Sequence, residues 1–183
     1  MTIYTIGHST RSAAELIDLL REAGVDTLVD IRSVPRSRTN PQFDIDFLPD
    51  TLGAAGIGYV HNRALGGLRH RRKDAPPSEH TLWRNAAFRN YAAYAETPEF
   101  RAGLDALCRL AEDHRCAIMC AEAVWWRCHR RIVTDYLLSR GTTVRHIMAP
   151  GKIDPATLTP GARPGADGTI AYKDETAPTL PFI

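Results

Sequence analysis

The chain has 183 residues, a formal net charge of +2, and 44% hydrophobic and 24% charged residues. These values fit one folded domain with a tail and exclude a disordered chain or a general electrostatic attraction to nucleic acid. No apolar run approaches the roughly 18 residues of a spanning helix, and Met1 to Gly7 carries no basic leader, so a cytoplasmic protein without a membrane partner is expected.

Taken in order, five predicted strands alternate with helical segments. Thr2 to Ile6 reads as the first strand. Ser12-Ala13-Ala14-Glu15 has the spacing of a capping box, and the helix it opens stops at Gly24, a residue suited to a left-handed cap. Val25 to Ile31 is the second strand, a weaker helix covers about 46 to 55, and Gly56 to His61 is the third strand. Residues 62 to 90 read as a long irregular excursion, of the kind that often forms binding loops. Thr97-Pro98 marks an N-cap followed by proline, and Phe100, Leu104, Leu107, Cys108 and Ala111 keep helical spacing after it. The fourth strand runs from Cys116 into Cys120, a helix follows Cys128 and ends near Gly141, and Thr142 to Met148 is the fifth strand.

This order predicts a three-layer, Rossmann-like α/β domain over residues 1 to 150, with a mostly parallel five-stranded sheet and helices on both faces. From 151 to 183 the Pro, Gly, Thr and Ala content predicts a loop-rich extension, packed on the body or trailing from it, with a short strand at Thr169 to Tyr172. Aromatic residues in the 83 to 94 region are candidates for a homodimer interface.

The densest chemistry is Cys120-Ala121-Glu122, five residues, then Cys128-His129-Arg130, placed where a strand hands over to a helix. Strand carboxyl ends are where open α/β sheets bind ligands. Four cysteines do not make a disulfide scaffold in a chain this long; they read as core residues, ligands or nucleophiles. Cys108 belongs to an apolar stripe and reads as packing.

Together these pieces resemble the bacterial and archaeal family known as domain of unknown function 488. The resemblance rests on Thr5-Ile6-Gly7-His8-Ser9, Leu28-Val29-Asp30-Ile31-Arg32 with Pro35-Arg36, Leu65-Gly66-Gly67, Tyr91-Ala92 before Thr97-Pro98-Glu99-Phe100, and the Cys-Ala-Glu and Cys-His-Arg blocks. Inside the central loop, relatives commonly carry a proline where this chain has Trp125-Trp126. The resemblance implies an α/β domain and no settled activity.

Three chemistries suit these residues. In the leading reading the protein is an enzyme acting on a phosphate-bearing substrate, a nucleotide or nucleic acid. Arg32, Arg36, Arg69 and Arg130 bind the anion; Asp30 and Glu122 do acid–base work or orient Arg32 and Arg130; and His8, an imidazole expected to titrate near neutrality, shuttles protons. Trp125, Trp126, Phe43 and Tyr59 are candidates to stack a base. Cys128, beside His129 and near a helix amino end, is the candidate nucleophile of lowered pKa. A phosphatase-type loop is excluded, because the arginine it needs six positions after the cysteine is Trp126 from Cys120 and Thr134 from Cys128. The second reading keeps the basic pocket but makes it a non-catalytic module for nucleic acid or protein. The third is a thiol-redox or zinc site built on Cys120, Cys128, His129 and His8. Neighbouring Cys128 and His129 would diverge on a helix, and Cys-x-x-Cys spacing is absent, so neither metal nor cofactor is expected.

Overall fold

The computed structural model describes residues 1–70 and 79–174. The basic run 71–73 and the proline-containing stretch 74–77, both part of the expected excursion, lie outside the described residues, as does 178–183. The described elements in chain order are β1 (Thr2–Gly7), α1 (Ala13–Glu22), β2 (Thr27–Asp30), α2 (Leu48–Ala54), β3 (Gly58–His61), α3 (Ala86–Ala95), α4 (Pro98–Asp113) and β4 (Cys116–Cys120). They continue with α5 (Arg130–Ser139), β5 (Thr143–Ala149), β6 (Lys152–Pro155), β7 (Ala162–Pro164) and β8 (Ile170–Tyr172).

Local chemistry sets many of these boundaries. The Ser12 hydroxyl accepts from the Glu15 amide while the Glu15 carboxylate accepts from the Ser12 amide, so the reciprocal cap forms as expected. Gly24 follows with φ +66°. Thr97 Oγ1 accepts from the Phe100 amide, and Pro98 occupies the first turn of α4.

The main sheet has the order β3-β2-β4-β1-β5-β6. The first five of these strands pair in parallel, and β6 is antiparallel to β5. The expected five-stranded sheet therefore gains a sixth strand. A turn at Pro150-Gly151, with Gly151 at φ +69°, reverses the chain. That lets Ile153 pair with Ile147. A separate hairpin joins β7 to β8.

Alternation along the strands feeds two cores. Ile3, Val29, Ile118 and Cys120 face one cluster with residues of α3, α4 and α5; Tyr4, Ile6, Leu28 and Met119 face the other with α1 and α2. Helices thus cover both faces. The excursion expected at 62 to 90 ends in α3, whose first amides are capped by Asn85 through Ala87 N. Trp83 and Tyr91 are buried in the first core, so those two aromatics are not available for a dimer interface. No helix of the described residues is long and apolar enough to cross a membrane.

β1 and β4 are neighbours, yet β1 leads to α1 on one face and β4 leads to α5 on the other. The chain departs in opposite directions from adjacent carboxyl ends, which opens a crevice between them.

Candidate functional site

A cavity of about 490 Å³ occupies this crevice. His8 follows β1, Arg32, Ser33 and Arg36 follow β2, Cys120 ends β4 and Glu122 comes just after it, and Cys128 and His129 precede α5; all of them line it. The β1–β4 ladder continues past the strands through His8 N to Cys120 O at 2.9 Å and Ser9 N to Ala121 O at 3.0 Å. Ser9 adopts φ +49°, an uncommon conformation for a residue with a side chain, where the chain turns out of this ladder. Gly7 is required at the same place: a Cβ there would overlap the Glu122 carbonyl.

The sulfurs of Cys120 and Cys128 are 2.7 Å apart, and Cys128 Sγ is 3.3 Å from His129 Nδ1. On the other side of the ring, His129 Nε2 lies 3.1 Å from the Ile31 carbonyl. A carbonyl only accepts, so Nε2 carries hydrogen, which leaves Nδ1 to face the Cys128 sulfur. The Arg130 amide approaches Cys128 Sγ at 3.5 Å. Thiol, imidazole and backbone carbonyl are thereby in hydrogen-bonded sequence.

This arrangement depends on a local departure from helix. Trp125–Arg127 form a short 3-10 turn, Cys128 is extended at φ −127° and ψ 152°, and only His129 enters the helical region. The expected divergence of Cys128 and His129 therefore does not occur. Their ligand atoms and that of Cys120 lie within 4.8 Å of one another, a set that could hold a soft cation.

Arg130 lies under the thiols and outside the lining of the cavity. Its side chain is 1% exposed, donates through Nη2 to the carbonyls of Glu122 at 2.5 Å and Ala123 at 3.4 Å, and has no hydrogen-bond partner at Nε among the described residues. Burial opposes its charge, but Cys120 and Cys128 beside it hold the guanidinium more firmly protonated than usual. Burial also pushes the Cys120 thiol up, and its hydrogen bond to Cys128 adds to the effect. For Cys128 burial acts the same way, yet the bond from Cys120, His129 and the Arg130 charge outweigh it and bring the thiol well below its ordinary range.

The other expected residues divide. Arg32 reaches the cavity, but Nε and Nη2 bind Asp30 at 2.9 and 2.6 Å and Nη2 also donates to Phe43 O. Asp30 is fully buried, with Tyr59 donating to it as well at 2.8 Å. It orients Arg32 and does not face the cavity. Phe43 is fully buried beneath the His8 ring, 4.2 Å away, so it is not a base platform, and Tyr59 lies outside the cavity lining. The expectation that His8 titrates near neutrality is not met. Burial brings it to about 4, against the opposing bond to the Ser9 carbonyl and with the help of Arg32, so it faces the cavity uncharged.

Arg36 stands exposed on the rim, paired with Asp46 at 2.6 Å. Glu122 is exposed on the same rim. Arg69 is elsewhere, over the Tyr94 ring at 3.6 Å and bonded to backbone carbonyls. Trp125 stacks on His146 at 4.4 Å, while Trp126 is half-exposed. Cys108 is partly buried against the first core.

Sequence reasoning passes over Gly67 as a site residue and gives Cys120 less weight than Cys128. A Cβ at Gly67 would overlap the His129 ring, so this glycine makes room for that ring. The Leu65-Gly66-Gly67 run is the available signal.

Fold and site together define an α/β domain with a cysteine–histidine pair in a crevice at its strand ends. The chain belongs to the family described as Domain of unknown function DUF488, which it matches over residues 12–137. No curated protein and no solved structure matches it.

Proposed function

We propose that the protein is a cysteine-dependent enzyme in which the Cys128 thiolate attacks a small substrate bearing an anionic group. The observation that carries this reading is the convergence of Cys120 Sγ, His129 Nδ1 and the Arg130 amide on one sulfur at the floor of a cavity. His129 takes the thiol proton as its Nε2–H stays anchored on Ile31 O, and Arg130 stabilises the charge left behind. The anion would be met by Arg36 and by Nη1 of Arg32, whose other nitrogens are taken by Asp30 and Phe43.

A four-arginine phosphate clamp is less well supported, because Arg130 lies beneath the floor and Arg69 is bound to Tyr94 and the backbone. A phosphate-bearing substrate, nucleotide or nucleic acid, remains the second reading, favoured by Ser33, Ser37 and the two remaining arginines along the wall. The non-catalytic binding module uses the same wall without turnover.

Alkylation at pH 7 tests the first reading. Cys128 should react faster than Cys108 or Cys116, and iodoacetate should compete better against iodoacetamide there than on a free thiol. A Cys128 as slow as the other cysteines would refute the nucleophile. Protection of Cys128 by inorganic phosphate would favour the phosphate reading. Binding of oligonucleotides with no nucleotide transformed would favour the binding module.

A further inference from the structure

We propose that Cys120 is the resolving thiol of Cys128, and that the pair cycles between dithiol and internal disulfide by exchange with a small disulfide carrying an anionic group. This rests on the nucleophile reading above and adds a second thiol and a substrate class.

The geometry supplies both halves of the exchange. The two sulfurs are 2.7 Å apart and both line the cavity, so an adduct formed on Cys128 would be adjacent to Cys120. Neither remaining cysteine can take that part. Cys116 begins the strand that Cys120 ends, and four residue rises along it separate them by about 13 Å. Cys108 lies on α4, outside the cavity lining. On the substrate side, Arg36 and Arg32 flank the approach.

In the first step the Cys128 thiolate attacks one sulfur of R–S–S–R. A mixed disulfide Cys128–S–S–R forms, and R–S⁻ leaves with the electron pair of the broken bond. In the second step Cys120 loses its proton, to R–S⁻ or to solvent, and its sulfur attacks Cys128 Sγ. The internal disulfide forms and the second R–S⁻ departs. The protein gives up two electrons and the substrate gains them as two thiols. An external dithiol restores Cys120 and Cys128 by the reverse exchange.

A soft divalent cation on Cys120, Cys128 and His129 is the competing use of the same atoms. The Arg130 guanidinium disfavours it, because a fixed positive charge beside both sulfurs complements thiolate and repels a dication.

The test incubates the full chain with oxidised glutathione and maps its peptides. The wild type should lose two free thiols, hold a Cys120–Cys128 crosslink with no retained glutathione, and recover both thiols with dithiothreitol. Cys120→Ser, and independently Cys120→Ala, should stop with glutathione on Cys128. Wild type that stops at the same adduct, with Cys128 still alkylated rapidly, would remove the resolving role and leave the nucleophile. Neither exchange nor rapid alkylation would remove both. A glutathione adduct on Cys120 in Cys128→Ser, as fast as the wild-type reaction, would overturn the assignment of roles. Stoichiometric zinc retained through purification, with exchange seen only after chelation, would replace the redox pair with a metal site.

Discussion

Arg130 is a full-sized cation at 1% exposure, and such a group is costly to bury without an anion beside it. The ionisable groups that hold its charge are the thiols of Cys120 and Cys128. The dependence is mutual: the guanidinium lowers Cys128, and the thiolate justifies the guanidinium. Because Cys128 is depressed, its thiolate persists as pH falls below the ordinary thiol range and is lost only lower, through its own pKa. Its alkylation rate should therefore reach a plateau well before that range. Arg130→Met should displace the rising limb of this profile to higher pH. Once the limb lies above pH 7, each further pH unit it moves slows the reaction at pH 7 by about tenfold. Arg130→Lys should keep part of the effect. An unmoved profile in Arg130→Met would show that the charge does not set the thiol.

At the scale of elements, the decisive piece is the short turn at Trp125–Arg127 followed by extended Cys128. It swings one sulfur back over the end of β4 and aligns the His129 ring between Cys128 and Ile31. Gly67, arriving from a loop remote in sequence, leaves the space this ring occupies. Gly67→Ala should push His129 away while leaving every reactive group in the chain. Cys128 should then alkylate more slowly at pH 7 and regain the wild-type rate at high pH, where no base is needed. A wild-type rate across the whole range would exclude His129 as the base.

The same turn explains what sequence could and could not reveal. Ser12 with Glu15, and Thr97 with Pro98, announce helices because a cap is settled within four residues. Strand ends carrying Asp30-Ile31-Arg32 and Cys120-Ala121-Glu122 are legible from apolar runs. The meeting of Cys128 and His129 is not, since it follows from a few backbone angles in a loop whose tryptophans give no periodic pattern. The fate of two arginines is equally hidden: Arg69 and Arg130 have the same charge, and only tertiary packing assigns them to Tyr94 and the thiols, whereas Arg32 pairs with Asp30 two residues before it.

At the scale of the whole molecule, the chain beyond β6 bears on α5, the helix that follows Cys128. Asp135 accepts from the Thr159 amide at 2.8 Å and from Tyr172 Oη at 3.0 Å, while Tyr136 Oη accepts from the Ile170 amide at 3.2 Å. Ile170 and Tyr172 are fully buried. The Pro- and Gly-rich composition conceals this, because its order comes from α5 rather than from its own pattern. Tyr172→Phe removes one donor from a buried carboxylate and should lower stability by about 1–3 kcal/mol. Urea unfolding would measure this as a lower midpoint at unchanged slope. An unshifted midpoint would mean that the hydrogen bond adds nothing.

Trp125 lies between the two cysteines in sequence, with its indole parallel to the His146 imidazole at 9°. Such face-to-face contact makes its emission sensitive to any opening of the segment that carries Cys128. Joining the two sulfurs would tug on that segment, so fluorescence recorded during oxidation should change in step with thiol loss. The molecule would then carry its own optical gauge of the state of its cysteines, readable without a label.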